Sequence, residues 1–240
     1  MPAVPRWTNW ARGSVLVGGV AFVASLLYFA FVYLGRFGDA GDPSLARVRP
    51  TLINLALFSG FALHHSVFAR VGLKDAVARL VSPAYERSVY VWGSSLLFAA
   101  VCILWQPVPG TLWTAPAALT PLLLAAQGIG GGLAVLAASK LDVLELAGLR
   151  QATAQRQPSD PTLLRSGPYA VVRHPVYLGW LMFVWLTPEM TGTRLVFAAV
   201  STFYLALAVP FEERDLTRLF GPSYTEYKRE VRWRMLPLVY

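Results

Sequence analysis

The 240-residue chain carries 21 Lys and Arg against 13 Asp and Glu, 55% of its residues are hydrophobic, and only 14% are charged. Soluble domains have about 25% charged residues, so this composition excludes an ordinary soluble protein and indicates an integral membrane protein. The net charge of +8 is typical of cytoplasmic loops that face anionic lipid. It therefore does not indicate a nucleic-acid partner.

Six apolar runs are candidates for membrane helices, because a helix needs about 20 apolar residues to cross a bilayer. The first run follows Arg12 and is predicted to be a retained span, because it is longer than a signal-peptide core and lacks an evident cleavage motif. Prolines between residues 106 and 121 separate the third run from the fourth and predict a tight turn. In sequence numbers the runs are 14–34, 51–69, 88–105, 122–138, 176–186 and 195–211.

The fifth run is short, so the last two runs form either two crossings or a tilted helical hairpin. With the N-terminus inside, all but four of the 21 Lys and Arg lie on the cytoplasmic side, which favours an even number of crossings or such a hairpin. The fold is therefore predicted to be all-α: a polytopic integral membrane helical bundle of about five to six membrane segments, with a C-terminal helical hairpin and an interfacial tail. The four exceptions are Arg36, Arg47, Arg49 and Arg194.

We expect one domain, residues 1–240, with a four-helix membrane part at 1–139 and a cofactor-binding catalytic part at 140–240. In the fourth run, Gly128 and Gly132 are four residues apart, a spacing that allows close helix approach; we expect packing within this chain, with a dimer contact as the alternative. After residue 212 the tail is predicted to form surface helices that are interrupted at Gly221 and Pro222, because this dipeptide breaks regular structure.

Two polar clusters stand at the ends of apolar runs, where ionisable side chains are costly and are therefore candidates for function. One contains Arg173 and His174, directly before the fifth run, and the other is the pair Glu212-Glu213 at the end of the sixth. Together they can bind a zwitterion, because Arg173 can take a carboxylate and Glu212 an ammonium, while aromatic rings such as Tyr169 attract cations. This set suits the amino-acid end and the sulfonium of S-adenosylmethionine. An interfacial ion-pair cluster would explain the same residues.

These segments carry a resemblance to a known family. The stretches Ser166-Gly-Pro-Tyr-x4-His-Pro-x-Tyr-x-Gly-Trp, Phe211-Glu-Glu-Arg-Asp-Leu and Phe220-Gly-x-x-Tyr-x-x-Tyr resemble the isoprenylcysteine carboxyl methyltransferase superfamily over residues 162–237. The segment His64-His-Ser-Val-Phe-Ala-Arg is similar to a bacterial branch that includes methanethiol S-methyltransferases, and the layout also resembles nurim. The resemblance implies a polytopic membrane enzyme that uses S-adenosylmethionine.

The resemblance also implies which residues form the cofactor pocket, although the register of the glutamine before the motif stays open. Prenylcysteine members carry a substrate-side arginine at the position of Ala208, four residues before Glu212. Its absence argues against carboxyl methylation and favours S-methylation of a small or lipophilic thiol such as methanethiol. The implied cofactor residues are Gln151, Thr162, Leu163, Leu164, Tyr169, His174, Pro175, Tyr177 and Glu212.

The catalytic residues are predicted to be His65, Glu213 and Arg173. A thiol must become a thiolate before it can attack a methyl group, and His65, near the inward end of the second run, can accept its proton. A histidine that is hydrogen-bonded between helices is the alternative for His65. No set of Cys, His and carboxylates has metal-ligand spacing, so no metal is expected.

Three other functions stay open at this point: carboxyl methylation of a prenylcysteine-like substrate, an NADPH-dependent membrane reductase, and a non-catalytic nurim-like protein. Reductases share the Arg-His-Pro-x-Tyr stretch but have Asn and Glu where this chain has Val176 and Trp180. The expected partners are the thiol and the lipid bilayer, and the oligomeric state is open. The resemblance implies a bacterial inner membrane with the active site facing the cytoplasm.

Overall fold

The computed structural model describes residues 9–42, 44–68, 83–141 and 162–240. Within these ranges the chain forms seven α-helices, two short 3-10 helices and one two-stranded sheet, which confirms the predicted all-α architecture. The 3-10 helices are Arg36–Gly38 and Gly167–Ala170, and the strands are β1, Thr111–Thr114, and β2, Glu189–Thr191. The α-helices are α1, Asn9–Leu34; α2, Val48–Phe68; α3, Pro83–Leu104; α4, Thr120–Lys140; α5, Pro175–Trp185; α6, Gly192–Phe220; and α7, Pro222–Glu230.

Four of these helices, α1, α2, α4 and α6, are long and apolar enough to cross a membrane. The apolar part of α3, Val89–Leu104, is shorter, as is α5. With 11 residues, α5 is about 16 Å long, whereas the hydrocarbon core is about 30 Å thick. The fifth predicted run therefore does not span as one helix, which favours the hairpin over two full crossings.

The first of two compact units contains α1, α2 and α3. In this unit, side chains from other segments bind backbone groups near the end of α3. The last carbonyls of a helix have no partner within the helix, so they are free to accept these hydrogen bonds. The Arg36 guanidinium donates to the carbonyls of Cys102 and Trp105 at 2.7 and 3.1 Å. Asn54 on α2 binds both backbone groups of Gln106, each at 2.8 Å. These bonds fix Arg36 to the end of α3 and Gln106 to α2.

The second unit contains α4 to α7 and both strands, so α4 groups with the C-terminal helices. Helices α4 and α5 approach closely because Gly130 and Gly179 face each other: a Cβ on Gly179 would lie 2.5 Å from the Gly130 carbonyl oxygen. No described atom lies within 4 Å of a Cβ placed on Gly128 or Gly132. The prediction of close packing in the fourth run was right, but the glycine pair that it named was wrong.

The two strands are the main element that the sequence did not predict. They pair antiparallel, with Thr111 opposite Thr191, and so join the segment before α4 to the connection between α5 and α6. The Thr191 side chain also accepts a hydrogen bond from the Arg194 amide and caps α6. This arrangement fixes where α6 begins.

Helix α6 continues through Pro210 to Phe220, so the paired glutamates lie inside one continuous helix. The helix ends at Gly221, whose φ of +57° favours glycine, and α7 starts at Pro222. This break confirms the interruption that was predicted in the tail.

Candidate functional site

The site in the second unit starts at the N-terminus of α5. Pro175 is the first residue of this helix, a position where its missing N–H costs no hydrogen bond. His174 precedes it, and Tyr177 follows three residues later on the same face. Their rings therefore stack, with centroids 5.3 Å apart and planes 3° from parallel. Local helix geometry alone thus places two of the predicted cofactor residues together.

Glu212 on α6 completes this group. Its Oε2 accepts a hydrogen bond from the Tyr177 hydroxyl at 2.8 Å and lies 3.5 Å from His174 Nδ1. The Glu212 side chain keeps 42% of its surface exposed, whereas that of His174 keeps 5%. The structure therefore brings His174, Tyr177 and Glu212 together and leaves a carboxylate that can still receive a cation.

Glu213, the next residue, has a different environment because consecutive helix residues point about 100° apart. Its side chain is 7% exposed. Oε1 accepts a hydrogen bond from Arg173 Nε at 2.6 Å, and Oε2 accepts one from Arg234 Nε at 3.2 Å. A buried carboxylate is tolerated only when it is paired in this way. Glu213 thus joins α6 to two other segments of the chain.

Arg173 is equally occupied. Its Nη1 donates to the carbonyls of Val231 and Arg232, at 2.6 and 2.8 Å. The backbone amides of Arg173 and His174 donate to the carbonyls of Trp233 and Arg234, at 2.9 and 2.8 Å. Nε and Nη1 of Arg173 are therefore engaged by protein groups that hold the segment 231–234 beside the start of α5.

Arg234 is the site residue that sequence reasoning missed. Besides its bond to Glu213, its Nη1 donates to the Tyr240 hydroxyl at 2.9 Å, and its guanidinium lies 4.9 Å from the centre of the Tyr240 ring. In sequence it is one of several basic residues in a tail that we interpreted as interfacial. In the sequence, Arg234 differs from the other basic residues of the tail only in its position beside Trp233 and near other aromatic residues. This is a weak signal for a site residue.

Tyr169 lies in the 3-10 helix before α5 and is buried. Its hydroxyl donates to the Ala137 carbonyl at 3.2 Å, and its own carbonyl accepts a hydrogen bond from the Tyr227 hydroxyl at 2.7 Å. Burial, and then the Glu212 carboxylate, raise the pKa of Tyr169 to about 12. The phenol is therefore protonated at neutral pH.

The remaining predicted cofactor residues lie directly before this group. Thr162, Leu163 and Leu164 form an irregular stretch, and Leu163 packs against the buried cluster of Tyr224, Tyr227 and Val231. Gln151 lies outside the described residues.

His65 belongs to α2 in the first unit. Its Nδ1 lies 3.0 Å from the Tyr90 hydroxyl on α3, and its ring stacks on Phe61 with centroids 5.5 Å apart. His64 instead stacks on Phe68 and faces Gly93. The two histidines therefore stack on different phenylalanines of α2, but both lie beside Tyr90, with ring centroids 6.3 Å away for His64 and 5.6 Å away for His65. The contact with Tyr90 is the interhelical hydrogen bond that we named as the alternative, and a catalytic role for His65 stays a prediction.

Comparison with known proteins shows where the chain belongs. No family model matches it, and no solved structure matches it. It is 36% identical over 224 residues to methanethiol S-methyltransferase 2 of Bradyrhizobium diazoefficiens, a match that covers 90% of this chain and 86% of the relative. It is 37% identical over 232 residues to methanethiol S-methyltransferase of Crocosphaera subtropica, with 92% and 91% covered.

Nurim of Bos taurus is a more distant relative, 30% identical over 209 residues, with 78% of this chain and 79% of nurim covered. The resemblance to the bacterial branch is thereby confirmed, and the carboxyl methyltransferase, reductase and nurim-like alternatives are not favoured. The chain belongs to the methanethiol S-methyltransferase family of membrane methyltransferases.

Proposed function

We propose that this protein transfers the methyl group of S-adenosylmethionine to the sulfur of methanethiol. The products are dimethyl sulfide, S-adenosylhomocysteine and a proton. The observation that carries the proposal is the convergence of His174, Tyr177 and Glu212 in a chain whose relatives are named for this reaction.

The residues of the site fit the cofactor. The partly exposed carboxylate of Glu212 suits an ammonium group, and the stacked rings of His174 and Tyr177 suit a sulfonium. His174 Nε2 is buried and lies 3.5 Å from Glu213 Oε1, which orients the ring beside Glu212. We assign Leu163, Leu164 and Tyr169 to the cofactor pocket, as the family resemblance implies. Bound there, S-adenosylmethionine supplies a methyl group on a positively charged sulfur.

The protein contributes alignment and exclusion of water, because an in-line displacement depends on both. Arg173 and Glu213 act in this proposal as positioning residues: their ion pair fixes His174 at the start of α5. His65 is proposed to accept the thiol proton, since the thiolate is the attacking form. That role rests on the predicted inward direction of the second membrane run.

A small acceptor is supported by residue 208. Ala208 lies four residues before Glu212, and therefore on the same face of α6. It offers no guanidinium to hold a substrate carboxylate at that place. The side chain thus favours methanethiol, whose sulfur carries a single methyl group, over a prenylcysteine carboxylate.

We place the protein in a bacterial inner membrane, with the site facing the cytoplasm. Four apolar helices support the membrane. The side is supported by the charge pattern, because the Lys and Arg outside Arg36, Arg47, Arg49 and Arg194 fall on the predicted cytoplasmic segments.

The proposal is tested by titrating S-adenosylhomocysteine into the purified protein in detergent, with NADPH titrated in parallel. We expect saturable binding of S-adenosylhomocysteine and no binding of NADPH. Binding of NADPH alone would indicate a reductase. Binding of neither ligand would indicate a non-catalytic, nurim-like protein.

A further inference from the structure

Tyr224 has an unexplained hydroxyl. The residue lies in α7, and its side chain is only 1% exposed. Its hydroxyl oxygen is buried and makes no hydrogen bond with any part of the chain that the structure describes. A buried hydroxyl without a partner is costly, so each such group needs an explanation.

The other two buried tyrosines of this region have an evident structural role. The Tyr227 hydroxyl, on the same helix, donates to the Tyr169 carbonyl, and the Tyr169 hydroxyl donates to the Ala137 carbonyl. The first bond joins the 3-10 helix Gly167–Ala170 to α7, and the second joins it to α4. Tyr224 contributes no such bond among the described residues, although its ring lies 5.8 Å from that of Tyr227.

The surroundings of Tyr224 are those of the cofactor site. The buried cluster that contains it packs against Leu163. Burial, and then the Glu213 carboxylate, raise the pKa of Tyr224, with Arg173 opposing and Glu212 adding to the shift. The phenol is therefore a protonated donor. Its cluster includes Val231, whose carbonyl accepts a hydrogen bond from Arg173 Nη1 at 2.6 Å, so the cluster adjoins the start of α5.

We infer that the Tyr224 hydroxyl donates a hydrogen bond to the adenosyl cofactor and that Tyr224 is a further cofactor-binding residue. The inference rests on the proposed function and deepens it. It explains why a tyrosine, and not a phenylalanine, occupies this buried position, where the hydroxyl finds no partner among the described residues.

The test compares Tyr224→Phe with the matched variant Tyr227→Phe. Both remove one buried phenol oxygen from α7, but only Tyr227 loses a bond within the protein. Thermal unfolding in detergent without ligand and S-adenosylhomocysteine binding by calorimetry are measured for both variants and for the unchanged protein.

We expect Tyr224→Phe to unfold at the same temperature as the unchanged protein, or higher, and to bind S-adenosylhomocysteine roughly tenfold more weakly. Tyr227→Phe should unfold at a lower temperature. Unchanged affinity of Tyr224→Phe, or a loss of thermal stability like that of Tyr227→Phe, would overturn the inference while the proposed function stands. Absence of binding by the unchanged protein would instead remove both.

Discussion

Arg173 and Glu213 form a buried ion pair, with Nε and Oε1 2.6 Å apart and both side chains less than a tenth exposed. The neighbouring Glu212 contacts Tyr177 and remains open to solvent. Two adjacent glutamates therefore differ in environment: Glu213 is paired with two arginines inside the protein, whereas Glu212 keeps an exposed carboxylate, to which we propose that the cofactor binds. Consecutive helix positions produce this division because they face different directions.

The first prediction separates these roles. Glu213→Gln leaves two arginines without their shared carboxylate, and we expect it to lower the free energy of unfolding by about 3 kcal/mol. Glu212→Gln should unfold nearly as the unchanged protein does but lose most of its affinity for S-adenosylhomocysteine. Thermal unfolding and calorimetry on both variants check this. Equal stability of the two variants would contradict the assignment.

The second prediction concerns the hydroxyl that orients Glu212. Tyr177→Phe keeps the ring stacked on His174 but removes the 2.8 Å hydrogen bond to the carboxylate. We expect affinity for S-adenosylhomocysteine to fall roughly fivefold, because Glu212 becomes free to rotate. An unchanged dissociation constant would show that the Glu212 carboxylate is held by other groups.

The third prediction tests the packing that carries α5. Gly179→Ala places a Cβ 2.5 Å from backbone atoms of α4, so we expect a loss of about 3 kcal/mol or more in unfolding free energy, at the upper end of overpacking effects. Gly128→Ala is the matched control on α4, since nothing described lies near its Cβ. It should be neutral or slightly stabilising, because alanine has the higher helix propensity. Similar thermal stability of the two variants would refute this packing.

The fourth prediction concerns His65. If it removes the thiol proton, His65→Ala should lower kcat by about 100-fold or more and leave S-adenosylhomocysteine affinity unchanged. His64→Ala serves as the control, because it removes the adjacent imidazole, which stacks on Phe68 and not on Phe61, although both imidazoles lie near Tyr90. A His65→Ala enzyme with normal kcat would leave His65 with the interhelical bond to Tyr90 as its role.

The all-α membrane architecture could be predicted from the composition and from the lengths of the apolar runs, because a segment that crosses a bilayer must be a long apolar helix. The convergence of His174, Tyr177 and Glu212 was also expected. The wrong glycine pair has a simple cause: spacing along one helix does not tell which face meets a neighbour. Gly130 could be identified only once Gly179 was known to lie opposite it.

The strands and Arg234 were missed for related reasons. Strands of three and four residues carry too little pattern to be distinguished from a turn, and their pairing joins Thr111 to Thr191, 80 residues later in the chain. Arg173 looked available for a carboxylate because its partners, including Glu213 and the Val231 carbonyl, are distant in sequence. Long-range polar pairing cannot be assigned from one sequence.

An isotope label can follow the methyl group from S-adenosylmethionine to methanethiol. The purified protein is incubated with methanethiol and S-adenosylmethionine whose transferable methyl group is deuterated, and the headspace gas is measured by mass spectrometry. We predict dimethyl sulfide with one deuterated methyl group, and a sharp loss of this product with Glu212→Gln. Absence of labelled dimethyl sulfide from protein that binds S-adenosylhomocysteine would contradict the account and give the methyl group to a different acceptor.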